Sequence, residues 1–444
     1  MNDAKLEFRF DWEPAEPVRT PELRATWARL EIWVGPECIT QVEDVASQSV
    51  RRSIYGSLYP LAEWIAYNWW FLKAHSRPVS LQPRLWSHAA LRGPEPQLYQ
   101  WLEHHNLRAA GEGFSWPDLT ILPEGRYTRL VWHADDTSTA HRPVRFIRTG
   151  EAWIESEELE GSLARLVDAV ITRLSEQGVR ESALTKEWQD LRQSDSDEVE
   201  FCLAAARLGL DPFSEALEVQ DSIERAAAEL TGELLDDFFD AVAPRRIDAG
   251  LAWTVGAMRD ITEYSLPEEG SLFRLREGVM GTAMEFDDRP WRAGWDQAKR
   301  VRRFLQLTSE APFDFADLMR LRFSDSHDWG LQAVGGPSRS NVSVLVLGHP
   351  STGQQSKRFT QARALWHFLY DPVWGSFLIT AAHADRQRIE RAFAAELLAP
   401  AEGIADQLDL SAGEFALDDT DTIAEHFDAS PTLVRHQIEN QLLQ

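Results

Sequence analysis

Cysteine is nearly missing from this chain, with Cys38 and Cys202 the only two among 444 residues. Their separation matches neither a disulfide framework nor a zinc-finger spacing, so a reducing cytoplasm is the expected compartment. Positive charge is scarce as well. Lys+Arg total 45 against 71 Asp+Glu, and the net charge of −26 repels a phosphate backbone, so nucleic acid is not an expected partner. Long apolar runs are also lacking: the stretch 342–347 has the length of a strand, far below the ~20 residues a membrane helix needs. The first ten residues carry charge where a signal peptide would be apolar. These absences describe a cytoplasmic protein with no membrane span.

Hydrophobic residues at 43% and charged residues at 26% are an ordinary globular mixture, and the length suits two or three domains. Tryptophan is unevenly spread, with eleven of the 18 in the first 153 residues. Strands are expected there at 5–10, 27–34, 119–122, 126–132 and 144–147, and Pro123, Glu124 and Gly125 read as a hairpin turn. One amphipathic helix is expected over 54–73, where Ile54, Leu58, Leu61, Ile65, Trp69 and Leu72 repeat at 3- and 4-residue spacing. Leu163, Leu166, Val170 and Leu174 mark a second helix that ends at Gly178.

Residues 151–240 hold 24 acidic and 7 basic side chains, most of the net negative charge. Phe201 to Leu208 and Ile223, Leu230, Leu234 and Phe238 are helically spaced, so the acids are expected to coat solvated helix faces. The stretch 193–197 is the expected linker. Beyond it, helices are expected at 291–305, from about 360 and from about 386, with a strand at 342–347. Ser430 followed by Pro431 is a helix start. The expected organisation is α+β: an aromatic-rich domain at 1–180, an acidic helical segment at 181–284 and a second α+β domain at 285–444.

Gly348, His349, Pro350, Ser351, Thr352 and Gly353 lie between a strand and a helix, where a phosphate-binding loop would sit. Gln354 and Gln355 stand where that loop needs Lys and then Ser or Thr, so nucleotide binding is not expected. The paired His104 and His105 lack neighbouring ligands and suit a polar structural role. Tyr59, Trp64, Asn68, Trp69 and Trp70 suit core packing more than a ligand pocket.

A longer pattern runs through Arg358, Phe359, Thr360, Ala362, Arg363, Ala364, Leu365, Trp366 and His367 to Phe393, Ala394, Ala395, Glu396, Leu397, Leu398, Ala399 and Pro400. With the strand before it and the segment 423–434 after it, this resembles the ImmA/IrrE metallo-endopeptidase family over about 285–444. The resemblance implies a minigluzincin-like α+β fold, with helices at 360–369 and 388–398 side by side. It also implies a zinc site, built from two histidines four residues apart, a general-base glutamate after the first, and a glutamate on the next helix. In this chain those positions read Arg363, Ala364, His367 and Ile389. Arginine offers a metal no lone pair and alanine accepts no proton, so neither zinc nor a catalytic residue is expected. Glu390 lies next to Ile389, but one helical step turns a side chain by about 100°, so it is not expected to substitute.

His367, His383, Glu390 and Glu396 remain as donors for a rearranged site, the zinc endopeptidase alternative. Otherwise Arg363, Trp366, His367 and Glu396 would line a groove that binds a protein without cutting it. The resemblance implies a regulatory role in stress, mobile-element or phage responses, with a helix-turn-helix regulator as partner. The pattern at 423–442 itself looks like a helix-turn-helix, though its acidic setting favours protein contact over DNA.

Overall fold

Alternation along 27–34 sets Ala28, Leu30, Ile32 and Val34 on one face, and in the computed structural model that face of strand β2 (Trp27–Val34) is buried. The structure describes residues 5–44, 47–76, 96–111, 113–135, 144–265, 271–280, 289–315, 318–324, 330–348, 353–408 and 417–443. Strand β1 (Leu6–Trp12) pairs antiparallel with β2 on one side, while β3 (Glu37–Cys38) and β6 (Ile54–Ser57) pair with it on the other. A second sheet has the order β5-β4-β9, from Ser49–Arg51, Val42–Asp44 and Val144–Phe146. The third has the order β10-β8-β7, from Gly150–Glu155, Tyr127–His133 and Asp118–Pro123. Gly125, at φ +94°, makes the turn between β7 and β8, a conformation open to glycine.

The single helix expected over 54–73 is three elements. Ile54–Ser57 forms β6 because β2 still offers it a hydrogen-bonding edge. Helices α2 (Tyr59–Tyr67) and α3 (Trp69–Ala74) follow, separated at Asn68, whose side-chain amide donates to the Trp64 carbonyl. Before them lies the short α1 (Pro21–Ala25), and α4 (Pro96–His105) comes after. Helix α5 (Ser156–Glu176) buries Leu159, Leu163, Leu166, Val170 and Leu174 in the same core. The expected linker at 193–197 is a tight corner between α6 (Ala183–Gln193) and α7 (Ser196–Arg207), where the Asp195 carboxylate caps α7 by accepting from the Glu198 N–H.

The chain divides into two compact units, 1–218 and 219–444, so the acidic helices of 181–284 are shared between them. Both units mix helices and sheets, the α+β class expected. In the second unit a four-stranded sheet has the order β11-β13-β12-β14, from Arg320–Phe323, Ser343–Leu347, Leu331–Pro337 and Phe377–Thr380. The helices α8 (Gln220–Glu229), α9 (Glu233–Ala241), α10 (Ile247–Thr262) and α11 (Ser271–Val279) precede it. Of these, α10 packs on β12 and β13, α9 on β14, and α11 on the helices that follow.

Three long helices form the rest of the core: α12 (Pro290–Phe304), α13 (Gln354–Tyr370) and α14 (Asp385–Leu398). Helices α13 and α14 lie side by side as expected. At Gly294 a Cβ would come within 2.2 Å of the Ile389 carbonyl oxygen, so glycine lets α12 approach α14 closely. The C-terminal helices are α15 (Ala401–Gln407), α16 (Leu417–Phe427) and α17 (Pro431–Gln437), the last capped by Ser430 Oγ. His349, Pro350, Ser351 and Thr352 lie outside the described residues. Among the described residues, no helix is long and apolar enough to cross a membrane.

Candidate functional site

Residues four apart on a helix share a face, and three such pairs meet in the second unit. Helix α13 presents Arg363 and His367, Asp371 follows one turn after His367, and α14 presents Arg386 and Glu390. The Arg363 Nε donates to Glu390 Oε1 at 2.8 Å, and its Nη2 reaches the same oxygen. Arg363 also donates from Nη2 to the Thr380 carbonyl on β14 at 2.6 Å and from Nη1 to Gln332 Oε1 on β12 at 2.5 Å. On the second carboxylate oxygen, Glu390 Oε2, sits His367 Nε2 at 2.5 Å. His367 Nδ1 is 2.8 Å from Asp371 Oδ2, and its ring stacks on Phe377 at 4.4 Å.

The network continues outward through Arg386. Its Nη2 lies 2.8 Å from Asp371 and 2.9 Å from His367 Nδ1, and its Nη1 reaches Glu233 at 2.7 Å and Asp237 at 3.3 Å on α9. Asp237 also accepts from the Gln387 amide. Arg363 and His367 are each only 2% exposed and Glu390 is 0%.

Charge is set by these neighbours. Burial alone would raise the Glu390 carboxyl, but Arg363 and His367 hold it down to about 2, a carboxylate at any physiological pH. Burial and Arg386 act to lower His367, yet Asp371 and Glu390 outweigh them and its pKa is raised. Burial likewise opposes ionisation of Asp371, which His367 and Arg386 nonetheless hold below the usual range. For Asp237 burial wins over Arg386, and its pKa rises to about 7. The result is a cluster in which two guanidiniums and an imidazole alternate with two firm carboxylates.

Several sequence expectations need correction here. Glu390, expected to turn away, faces α13, while Ile389 is a half-buried packing residue. Glu390, and not Ile389, is the α14 residue that meets Arg363 and His367, while α12 packs closely on the α14 backbone at Ile389. His383 precedes α14, so it shares no helix face with Glu390, and its Nδ1 lies 3.4 Å from Arg391. The four groove residues do not line one groove. Trp366 donates to Gln297 on α12 at 2.6 Å, and Glu396 accepts from Gln437 and Gln441 at 2.9 and 2.8 Å. Trp366, at 7% exposed, and Glu396, at 1%, are buried as well. Ala364 is fully buried among apolar side chains.

Asp371 and Arg386 were legible in principle, since each stands four residues from His367 or Glu390. Gln332 and Asp237 come from distant elements and carry no such signal.

The donor set does not fit a zinc ion. Both Glu390 oxygens and both His367 nitrogens are engaged by protein groups, and a guanidinium fills the space beside them. Among the described residues, no group of three or more His, Cys, Asp or Glu is arranged to hold a metal.

Of the paired histidines of the first unit, His105 is interior and His104 half-buried. His105 Nδ1 lies 2.9 Å from the Ile121 carbonyl and its Nε2 3.1 Å from His75 Nδ1, while His104 Nδ1 meets Asn68 Oδ1 at 2.6 Å. A carbonyl can only accept, so His105 carries its proton on Nδ1 and takes His75 Nδ1–H on Nε2. Burial lowers the pKa of all three histidines, that of His75 to about 3. The aromatic cluster nearby is structural: Trp64 Nε1 donates to the Glu103 carbonyl, and Trp69 packs edge-on against Trp188. Compared with known families and with curated proteins, the chain matches none.

Proposed function

We propose that this chain is a degenerate ImmA/IrrE-like pseudo-metalloprotease that binds a protein partner instead of cutting it. The observation that carries this reading is the Arg363–Glu390–His367 cluster. Arg363 stands at a position where the resemblance calls for a ligand, and its fixed positive charge does for Glu390 what a dication would do. A carboxylate with a pKa of about 2, sealed under a guanidinium, is a poor general base. Nothing in the cluster activates water, so capture is the activity left to a protein of this kind.

The acidic helices bear on the partner's chemistry. A surface with this excess of negative charge attracts a basic protein and orients its approach. A helix-turn-helix regulator, basic on its DNA-reading side, suits that field, and a role in bacterial stress, mobile-element or phage responses follows from the same reading. The decisive measurement is elemental analysis of purified protein, together with incubation of a captured partner. No stoichiometric zinc and an uncut partner are expected. One zinc per chain, lost in His367→Ala, with cleavage of the partner, would establish the zinc endopeptidase instead.

A further inference from the structure

Strand β1 is the edge of its sheet. One side pairs with β2, and among the described residues no strand pairs with the other. The Glu13 N–H bonds to the Trp27 carbonyl and the Gly35 N–H to the Lys5 carbonyl, so odd-numbered residues of β1 turn their backbone groups toward β2. Leu6, Phe8, Phe10 and Trp12 therefore turn theirs outward. The side chains of Lys5, Glu7, Arg9 and Asp11 are exposed on one face, and Phe8, Phe10 and Trp12 are only half-buried on the other.

An open edge of this length is a template for another strand, and its charges decide which strand it accepts. Here the sign alternates from Lys5 to Glu7 to Arg9 to Asp11. A second copy of β1 laid antiparallel must set outward backbone groups opposite one another, which leaves few registers. Centred on Glu7, the pair opposes Glu7 to Glu7 and Lys5 to Arg9. Centred on Arg9, it opposes Arg9 to Arg9 and Glu7 to Asp11. Like charges directly opposite destabilise both. Centred on Leu6 or Phe10, less of the strand is paired, and the second choice sets Glu7 against Glu13.

Centred on Phe8, every charge meets its opposite. Glu7 faces Arg9, Lys5 faces Asp11, and the two-fold axis repeats both contacts. These are the non-hydrogen-bonded positions, where facing side chains come closest. The hydrogen-bonded positions are Phe8 with Phe8 and Leu6 with Phe10, so the half-exposed phenylalanines cover each other. The Glu7–Arg9 ion pair within one copy is exchanged for the same pair between copies.

We propose that β1 is a homodimerisation strand, joining two copies edge to edge about a two-fold axis at Phe8. This is independent of the reading of the second unit. The test is sedimentation of the full chain at physiological ionic strength, where the net charge of −26 is screened. Wild type is expected to be a dimer that dissociates on dilution. Arg9→Glu faces Glu7 of the other copy and is expected to weaken the dimer about tenfold or more. The swapped variant Glu7→Arg with Arg9→Glu restores the pairing and is expected to restore the dimer. Mild oxidation of Glu7→Cys mixed with Arg9→Cys is expected to give a cross-linked dimer that neither gives alone, since Cys38 and Cys202 are buried. A wild type monomeric at every concentration reached, or a dimer indifferent to Arg9→Glu, overturns the proposal. So does a folded swapped variant that stays monomeric, or cross-linking without mixing.

Discussion

Arg363 holds together the polar interior of the second unit, and its removal leaves Glu390 charged, buried and without its strongest partner. Breaking one side of such a pair costs about 3–5 kcal/mol. Urea unfolding of Arg363→Met is expected to show a loss of that order, and Glu390→Gln added to it is expected to recover part, because the stranded charge is gone. Arg363→His is a different experiment. It sets a second imidazole four residues before His367, with Glu390 already facing both, the three donors a catalytic zinc site takes. This variant is expected to bind zinc or cobalt without any change at Ile389, read by metal content and by the cobalt absorption spectrum. Ala364→Glu alone supplies a base but no metal to act on, and is expected to give no proteolysis. Acid tests the same carboxylate. The Glu390 pKa is depressed from 4.5 to about 2, so its stabilisation is present above pH 4.5 and lost as pH falls toward 2.

Between elements, the buried His75, just after α3, and His105, at the end of α4, tie stability to pH because they must stay neutral, where a salt bridge must stay charged. Their folded pKa values lie below 6.5, so the unfolded chain takes up protons first. Stability is full above pH 6.5 and falls below it, by about 1.4 kcal/mol per pH unit for each histidine. Protonating His105 would also set an N–H against the His75 Nδ1–H. Urea unfolding followed by tryptophan fluorescence is expected to show this slope between pH 6.5 and 5, and His75→Gln with His105→Gln is expected to flatten it. Legibility in the sequence differs by element for physical reasons. Strand β2 was readable because period-2 alternation has few other causes, and β7 and β8 because a proline-glycine turn joins two short apolar runs. The run 54–73 was misread as one helix because Ile54 and Leu58 keep helical spacing even where β2 captures the first four residues. The role of Glu390 was not legible because its partners Arg363 and His367 lie on another helix, at no fixed sequence spacing from it.

At the scale of the whole molecule, composition located the acidic stretch but not the division of the chain. A run of charge marks solvated faces, and both units have such faces, so the acidic stretch 151–240 reflects exposure, not contacts, and the expected boundary at 285 followed the extent of the resemblance. Packing divides the chain near residue 218 instead, with one core built on Leu30, Ile65, Leu119 and Leu166 and another on Leu345, Leu365, Phe393 and Phe427. A fragment of 285–444 would keep β11 to β14 but lose α9 from β14, α10 from β12 and β13, and α11 from α12 and α13. It would also lose Asp237 from Arg386 and Gln387, and uncover the face of the sheet that carries the fully buried Val334, Val346 and Leu378. Each buried aliphatic side chain uncovered costs about 1.5–3 kcal/mol, and a domain's whole stability is about 5–15 kcal/mol. Expressed alone, 219–444 is therefore expected to unfold cooperatively with dispersed amide resonances. The fragment 285–444 is expected to aggregate or to bind hydrophobic dyes without a cooperative transition. A shorter fragment as stable as the longer one would mean that α8 to α11 are an appendage to the sheet and not one of its walls.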